Sequence, residues 1–452
     1  MARRNRSMTS RRRRKILIGG VAALLAVLVV APFLVPVDTY LRQIEQVAST
    51  KLGDPVRIRD AHLQFLPTPR AVVEGLDIGD PPVVRVQRIV AFPELGTLFD
   101  AQRVIRDLRI EGLAVDRAAL ARIREWTRSD PNAGPPAVRL VALSATAISS
   151  EILPLGHLAA EASFGSDGKL AGAKIHTEDG KLALVATPDG GKFNVELTAK
   201  AWQVPVGPPL VLDALKLNAV VSDVDADIPA LAIQLYGGTL QGKAGVDWRK
   251  GFIVRSTLRG ERLDLGRLLP VVSPGTRLTG LLTTDARISA QAPEAEQLAK
   301  HLRVEATFDV ANGVLQGVDL VEAAKSLIGA SQKGGETRFD HLSGVATVDS
   351  RGYRVRQLVV SSGVLHATGQ VDVSAQQQLS GRIEAEVKAG ISLLKMPLNV
   401  SGTVANPSVA PTGAAVAGAI AGTAVAGPLG TTVGARVGSF FGKLFGSDDK
   451  KK

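Results

Sequence analysis

The chain has 452 residues, of which 45% are hydrophobic, 21% charged and 4% aromatic, with no cysteine. That balance excludes disorder throughout, and the missing thiols exclude disulfides, thiolate metal sites and a cysteine nucleophile. The net charge of +11 is terminal: residues 1–15 hold eight bases and no acid, Arg436 to Lys452 hold five bases and two acids, and residues 16–435 balance at 41 of each, which argues against a nucleic-acid partner.

In chain order, the basic segment 1–15 precedes ILIGGVAALLAVLVVAPFLV, twenty uncharged residues from Ile16 to Val35. At ~1.5 Å per residue such a helix crosses the roughly 30 Å hydrocarbon core. A cleaved secretory signal would be shorter and end on a small-residue site, so the run is read as a transmembrane helix over 16–36. Bases confined to its N-terminal flank put residues 1–15 in the cytoplasm and the body outside, which in a bacterial cell is the periplasm.

Val37 to Leu52 has Leu41, Ile44, Val47 and Leu52 near helical spacing and Gly53 as a stop, predicting a short exit helix. From there the hydrophobic period changes to two, and strands punctuated by Gly, Pro, Asp and Asn continue almost to Pro411. Helices are expected only over Arg117 to Arg128, Glu294 to His301 and Val318 to Ala330. SDPNAGPP marks a linker at 131–136, separating an N-terminal β region (37–130) from a C-terminal one (137–411).

Alternation is clean where Phe193, Val195, Leu197, Ala199 and Ala201 oppose Asn194, Glu196, Thr198 and Lys200. It recurs where Ile383, Ala385 and Val387 oppose Arg382, Glu384, Glu386 and Lys388. One greasy face and one wet face predict antiparallel sheet. A turn signal every 10 to 12 residues predicts roughly 20 to 25 strands in the C-terminal region, more than about 10 in an open sheet before it must curl or split. The fold class is therefore mainly β: a transmembrane helix, then an elongated, curled antiparallel sheet with a few short helices.

The tail, 412–452, is Gly/Ala-rich and basic, and Phe440, Phe441, Leu444 and Phe445 beside Lys443 are candidate membrane contacts. A surface-attached or reentrant segment, a flexible tail and a second span all fit its composition.

Catalytic chemistry has no foothold. Gly237 to Ala244 (GGTLQGKA) has the spacing of a phosphate loop but ends on Ala244 instead of Ser or Thr, and a strand pattern follows, so it reads as a glycine hairpin. The six histidines are scattered singly, and no G-x-S-x-G elbow occurs. The expectation is a non-enzyme without catalytic residues, metal or cofactor.

The segments PVDTYLRQIEQVASTKLGDPVRIRDAHLQFLPTPRAVVEGLDIGDPP, LYGGTLQGKAGVDW, LDLGRLLP, TRLTGLLTTDARISAQA, ANGVLQGVDLVEAAK, FDHLSGVATVDSRGYRVRQLVVSSGVLHATGQVDVS and PLNVSGTVANPSVAP, in this order, resemble the AsmA family of bacterial inner-membrane proteins. The resemblance implies a single-pass inner-membrane protein whose periplasmic β-groove carries phospholipids between the inner and outer membranes, supporting outer-membrane biogenesis. The alternative is a non-enzymatic assembly factor for outer-membrane proteins. Its implied partners are phospholipids and the inner membrane, with the outer membrane or a partner there on the far side, and no nucleic acid. Candidate lining residues are Val195, Leu197, Leu240, Val246, Leu282, Ile288, Phe308, Val371, Val373, Ile383 and Val387. Alternation alone also fits their packing in an ordinary closed core.

Overall fold

The computed structural model describes residues 37–413 and 417, apart from 98–99, 117, 120–121, 123–137, 151–154, 206–207, 327–331 and 390–391. The basic segment 1–15, the expected transmembrane helix 16–36, the linker 131–136 and nearly all of the tail 412–452 lie outside the described residues. Most of the helix expected over Arg117 to Arg128 does as well. Among the described residues, no helix is long and apolar enough to cross a membrane. The chain divides into two compact units, Met1–Pro188 and Asp189–Lys452.

In the first unit, helix α1 (Val37–Leu52) has the bounds its periodicity predicts. Gly53 ends it at φ +73, donating to the Ser49 carbonyl at 2.9 Å, a left-handed stop that glycine adopts without a Cβ clash. The helix covers strand β1 (Val56–Gln64): the Val56 amide donates to Ser49 Oγ at 2.8 Å and the Ile58 amide to Glu45 Oε1 at 2.6 Å. Side chains of α1 thus satisfy backbone groups on β1.

Strands β2 (Arg70–Ile78), β3 (Val84–Pro93) and β4 (Arg103–Val115) continue as an antiparallel meander. Val83, Val84, Val86 and Ala119 form a small core there. The next strand, β5 (Val138–Ser150), departs from the expected pattern because it pairs parallel to β4. A parallel neighbour needs a long crossover, and the stretch between Val115 and Val138 supplies it. Strands β6 (Leu158–Phe164), β7 (Leu170–Thr177) and β8 (Leu182–Asp189) return to antiparallel pairing.

The second unit holds β9 (Lys192–Gln203), β10 (Val211–Val221), β11 (Asp225–Leu235), β12 (Gly238–Asp247), β13 (Phe252–Asp264), β14 (Leu278–Ala292) and β15 (Arg303–Gln316). It continues with β16 (Gln332–Lys333), β17 (Glu336–Asp349), β18 (Gly352–Ser361), β19 (Leu365–Ser374), β20 (Leu379–Ala389), β21 (Ser392–Gly402) and β22 (Pro407–Pro411). Sequential neighbours pair antiparallel from β9 to β22. The exception is two-residue β16, which leaves β15 paired to β17 and itself pairs with β22.

Eighteen strands, β5 to β22, thus follow residue 137 among the described residues, fewer than the turn spacing predicts. The reason is strand length: β13, β14, β15 and β17 run 13 to 15 residues each. The phosphate-loop look-alike is a hairpin, with Tyr236 (φ 48) and Gly237 (φ 79) as the two turn residues between β11 and β12, the left-handed pair of a type I′ turn. A Cβ on Gly242 would lie 2.0 Å from the Thr257 carbonyl oxygen, so close approach of β13, and no phosphate, explains that glycine.

Two short α-helices and a 3-10 helix complete the unit, the 3-10 helix (Ala295–His301) lying in the stretch expected to be helical over Glu294 to His301. Helix α2 (Leu265–Val272), which the periodicity did not reveal, is capped by Asp264, whose side chain accepts from the Gly266 amide. Helix α3 (Leu320–Lys325) lies within the stretch expected to be helical, and its cap Asp319 accepts from the Glu322 amide at 2.9 Å. Thr337 anchors α3 to β17: its buried hydroxyl donates to the Val318 carbonyl at 2.8 Å and accepts from the Leu320 amide at 3.0 Å. Thr337→Val strands both backbone groups, so chemical denaturation is expected to report a loss of about 1–3 kcal/mol; an unchanged midpoint would show that α3 is held by packing alone.

Candidate functional site

Directly opposed residues in a ladder share a sheet face, so the register of the second unit can be followed strand by strand. One row runs Leu197, Leu217, Leu231, Gly242, Leu258, Ala286, Ala306, Ala346, Val355, Val371, Gly381, Val400, Val409. It crosses thirteen strands without a polar side chain. At ~4.8 Å per strand it extends about 55–60 Å, ignoring twist.

The row Lys243, Thr257, Arg287, Glu305, Thr347, Arg354, Asp372, Ser380 is polar throughout and belongs to the opposite face. Strand alternation therefore keeps these two rows on opposite faces from β12 to β20.

All eleven candidate lining residues fall on the apolar face, by the same register. Their surroundings divide them. Ile383 and Val387 are buried in a cluster with Val310, Phe339, Leu342, Val360, Leu365, Ala385, Met396 and Leu398, and Leu282, Phe308 and Val371 pack against it. Leu265 of α2 and Leu320, Ala323 and Ala324 of α3 belong to this cluster, and α3 packs on β17, β20, β21 and β22. The apolar face is thus closed over β17 to β22. Val195, Leu197, Leu240, Val246, Ile288 and Val373 are half-buried and stand outside that cluster. Most of these lie on β9 to β14, where α2 packs only on β13 and β14 and the same face also holds the buried Ala199, Leu215, Ala219, Leu235 and Ala290. Phe440, Phe441, Leu444 and Phe445 lie outside the described residues.

The charged face has shallow depressions of about 740 and 550 Å3, both lined by Lys243, Thr257, Arg287 and Glu305. Their walls are solvated polar side chains, with Arg259 bound to Glu261 at 3.0 Å and Arg303 to Glu305 at 2.7 Å. Exposed pairs of this kind contribute little to stability. The resolved carboxylate shifts are all downward: Asp179 is lowered to about 2, chiefly by the Thr177 hydroxyl, Asp247 is lowered chiefly by its hydrogen bond from Arg249, and Asp349 is held well below the usual range by Arg351 and Arg354. Asp179 and Asp349 adjoin none of the half-buried apolar residues in sequence or pairing, whereas Asp247 follows Val246 in β12 and alternation turns it to the opposite face. No group of His, Asp or Glu able to hold a metal occurs among the described residues.

The arrangement can do one thing at scale, which is to shield apolar surface. Burial of acyl carbon contributes about 25 cal/mol per Å2 and needs no directional partner. Alternation in the sequence located the face, whereas α2 and the β21 residues Met396 and Leu398 that seal part of it were not singled out. The signal for α2 was the capping Asp264 ahead of Leu265, Leu268 and Leu269.

The AsmA family model matches residues 167–350, from just before β7 through β17, which includes the half-buried residues from Val195 to Ile288. No curated protein matches the chain.

Proposed function

From the premise that the chain is an AsmA family protein, we propose that it serves envelope and outer-membrane biogenesis by carrying phospholipids on the apolar face of its second unit. Family membership is consistent with the envelope role. The observation that supports lipid as cargo is the thirteen-strand aliphatic row, which is half-buried along β9 to β14. Its span exceeds the ~15 Å depth of one leaflet's share of a bilayer core, so a whole acyl chain can lie along it. Headgroups would stay in water, which accords with an apolar face that has no charged row. In this reading the run 16–36 anchors the chain in the inner membrane with the body in the periplasm, and the chemistry is binding without catalysis.

Edge pairing with client strands, the alternative, has less support at β22. Its Ser408 and Val409 already pair with β16, and Pro407 and Pro411 offer no amide hydrogen.

Photoactivatable acyl-chain phospholipid, incubated in vesicles with the full chain, tests the proposal. Crosslinks are expected on peptides carrying Leu240, Val246 and Ile288. Labels confined to Lys243, Arg287 and their polar neighbours, or no labels in β9 to β14, would overturn it.

A further inference from the structure

We propose that Phe193, Trp248, Phe252 and Tyr353 form an aromatic lip that rests on a phospholipid bilayer and passes acyl chains onto the apolar face. The proposal rests on the lipid-carrying reading above.

The strands of the second unit have two unlike ends. Helices α2 and α3 follow the ends of β13 and β15 and cover one of them. The other is where β9, β11, β13, β15 and β18 begin and β10, β12, β14, β17 and β19 finish; a 3-10 helix (Ala295–His301) joins β14 to β15 there and packs on β14, and short turns make the remaining joins. Register places Phe193 opposite Val221, Phe252 opposite Ala292, and Tyr353 opposite both Val348 and Val373. All are positions of the apolar face at that set of strand ends, where Ala292 is buried. Trp248 continues the Ala244, Val246 alternation on the same face, and its indole Nε1 donates to the Asp223 carbonyl at 2.7 Å.

Two of these side chains are wet where an ordinary core would bury them, Phe193 at 38% exposed and Tyr353 at 43%, as is Leu302 at 40% before β15, while Trp248 and Phe252 are half-buried. Trp and Tyr, with an apolar ring and a polar tip, suit the boundary between hydrocarbon and headgroups. In a chain with only 4% aromatics, Trp202 and Tyr236 stand at the other set of strand ends and four stand at this one. Lys250 in the β12–β13 turn and Lys300 before β15 stand at the same end. Neither has an ion-pair partner among the described residues, so both can meet anionic headgroups. Along β9 the apolar face leads away from Phe193 through Val195, Leu197 and Ala199, and on β13 Ser256 is the polar side chain between Val254 and Leu258.

The sequence supplies its own reporters, since tryptophan occurs only at 126, 202 and 248. Trp202 ends β9 opposite Leu212, at the other set of strand ends. The full chain would be reconstituted into vesicles of phosphatidylethanolamine and phosphatidylglycerol containing a headgroup-nitroxide phosphatidylcholine. Trp126→Phe with Trp202→Phe leaves Trp248, and Trp126→Phe with Trp248→Phe leaves Trp202. The lip predicts quenching of Trp248 several-fold stronger than that of Trp202. Equal quenching, or stronger quenching of Trp202, overturns it; if phospholipid still co-purifies, the carrying face stands and only the lip is lost. Preferential quenching of Trp248 in a protein that binds no phospholipid overturns chain passage, and the carrying reading with it.

Discussion

Leu240→Asp combined with Ile288→Asp is expected to reduce co-purified phospholipid at least about tenfold while leaving the chain folded, because an ionised carboxylate resists transfer out of water by several kcal/mol. Both residues are half-buried on the apolar face, facing Gly260 and Ser256 of the intervening strand β13. Without cargo, each new carboxylate can remain hydrated, and the folding cost stays near the few kcal/mol of lost apolar contact. With cargo, it must lie against an acyl chain. Lipid phosphorus per protein and the melting temperature read the two effects separately. Unchanged lipid would move the binding site elsewhere, and unfolding would mean that β12 to β14 belong to a closed core.

The sealed end should respond in the opposite way. Leu398 is fully buried, opposite Ile383 and Pro411, within the cluster closed by α2 and α3. Leu398→Ala leaves a cavity that its tightly packed neighbours cannot fill, so chemical denaturation should show a loss of about 2–5 kcal/mol. Leu217→Ala, on the half-buried stretch of β10, should cost about 1 kcal/mol, since part of that side chain is already hydrated. The folded Leu398→Ala protein should still bind phospholipid. Equal losses at Leu398 and Leu217 would contradict the division of the face into sealed and open parts.

Local patterns in the sequence translated into structure where the determinant was itself local. The spacing of Leu41, Ile44, Val47 and Leu52 with Gly53 gave α1 its bounds, and the alternation around Ile383 gave both the strand and its inward face. The hairpin at Gly237 followed from the glycine pattern in the same way, while Tyr236 as its first turn residue did not.

What depends on distant residues was not visible. Ile288 and Ile383 sit in similar alternating segments, yet one is half-buried and the other lies in the sealed cluster. The difference comes from α3, which packs on β20 and β21 and is far from β20 in sequence. Nothing in β4 or β5 announced parallel pairing, because alternation fixes a strand's faces and leaves its neighbour open. Helix α2 escaped because eight residues hold barely two turns of period and Pro270 interrupts them. The eleven candidates were therefore legible as a face, while its division into sealed and open parts required the fold.

Native mass spectrometry of the full chain released from detergent tests the central claim most directly. The account predicts bound phospholipid that survives release and disappears from the Leu240→Asp, Ile288→Asp protein. A folded wild-type chain with no phospholipid attached would contradict it.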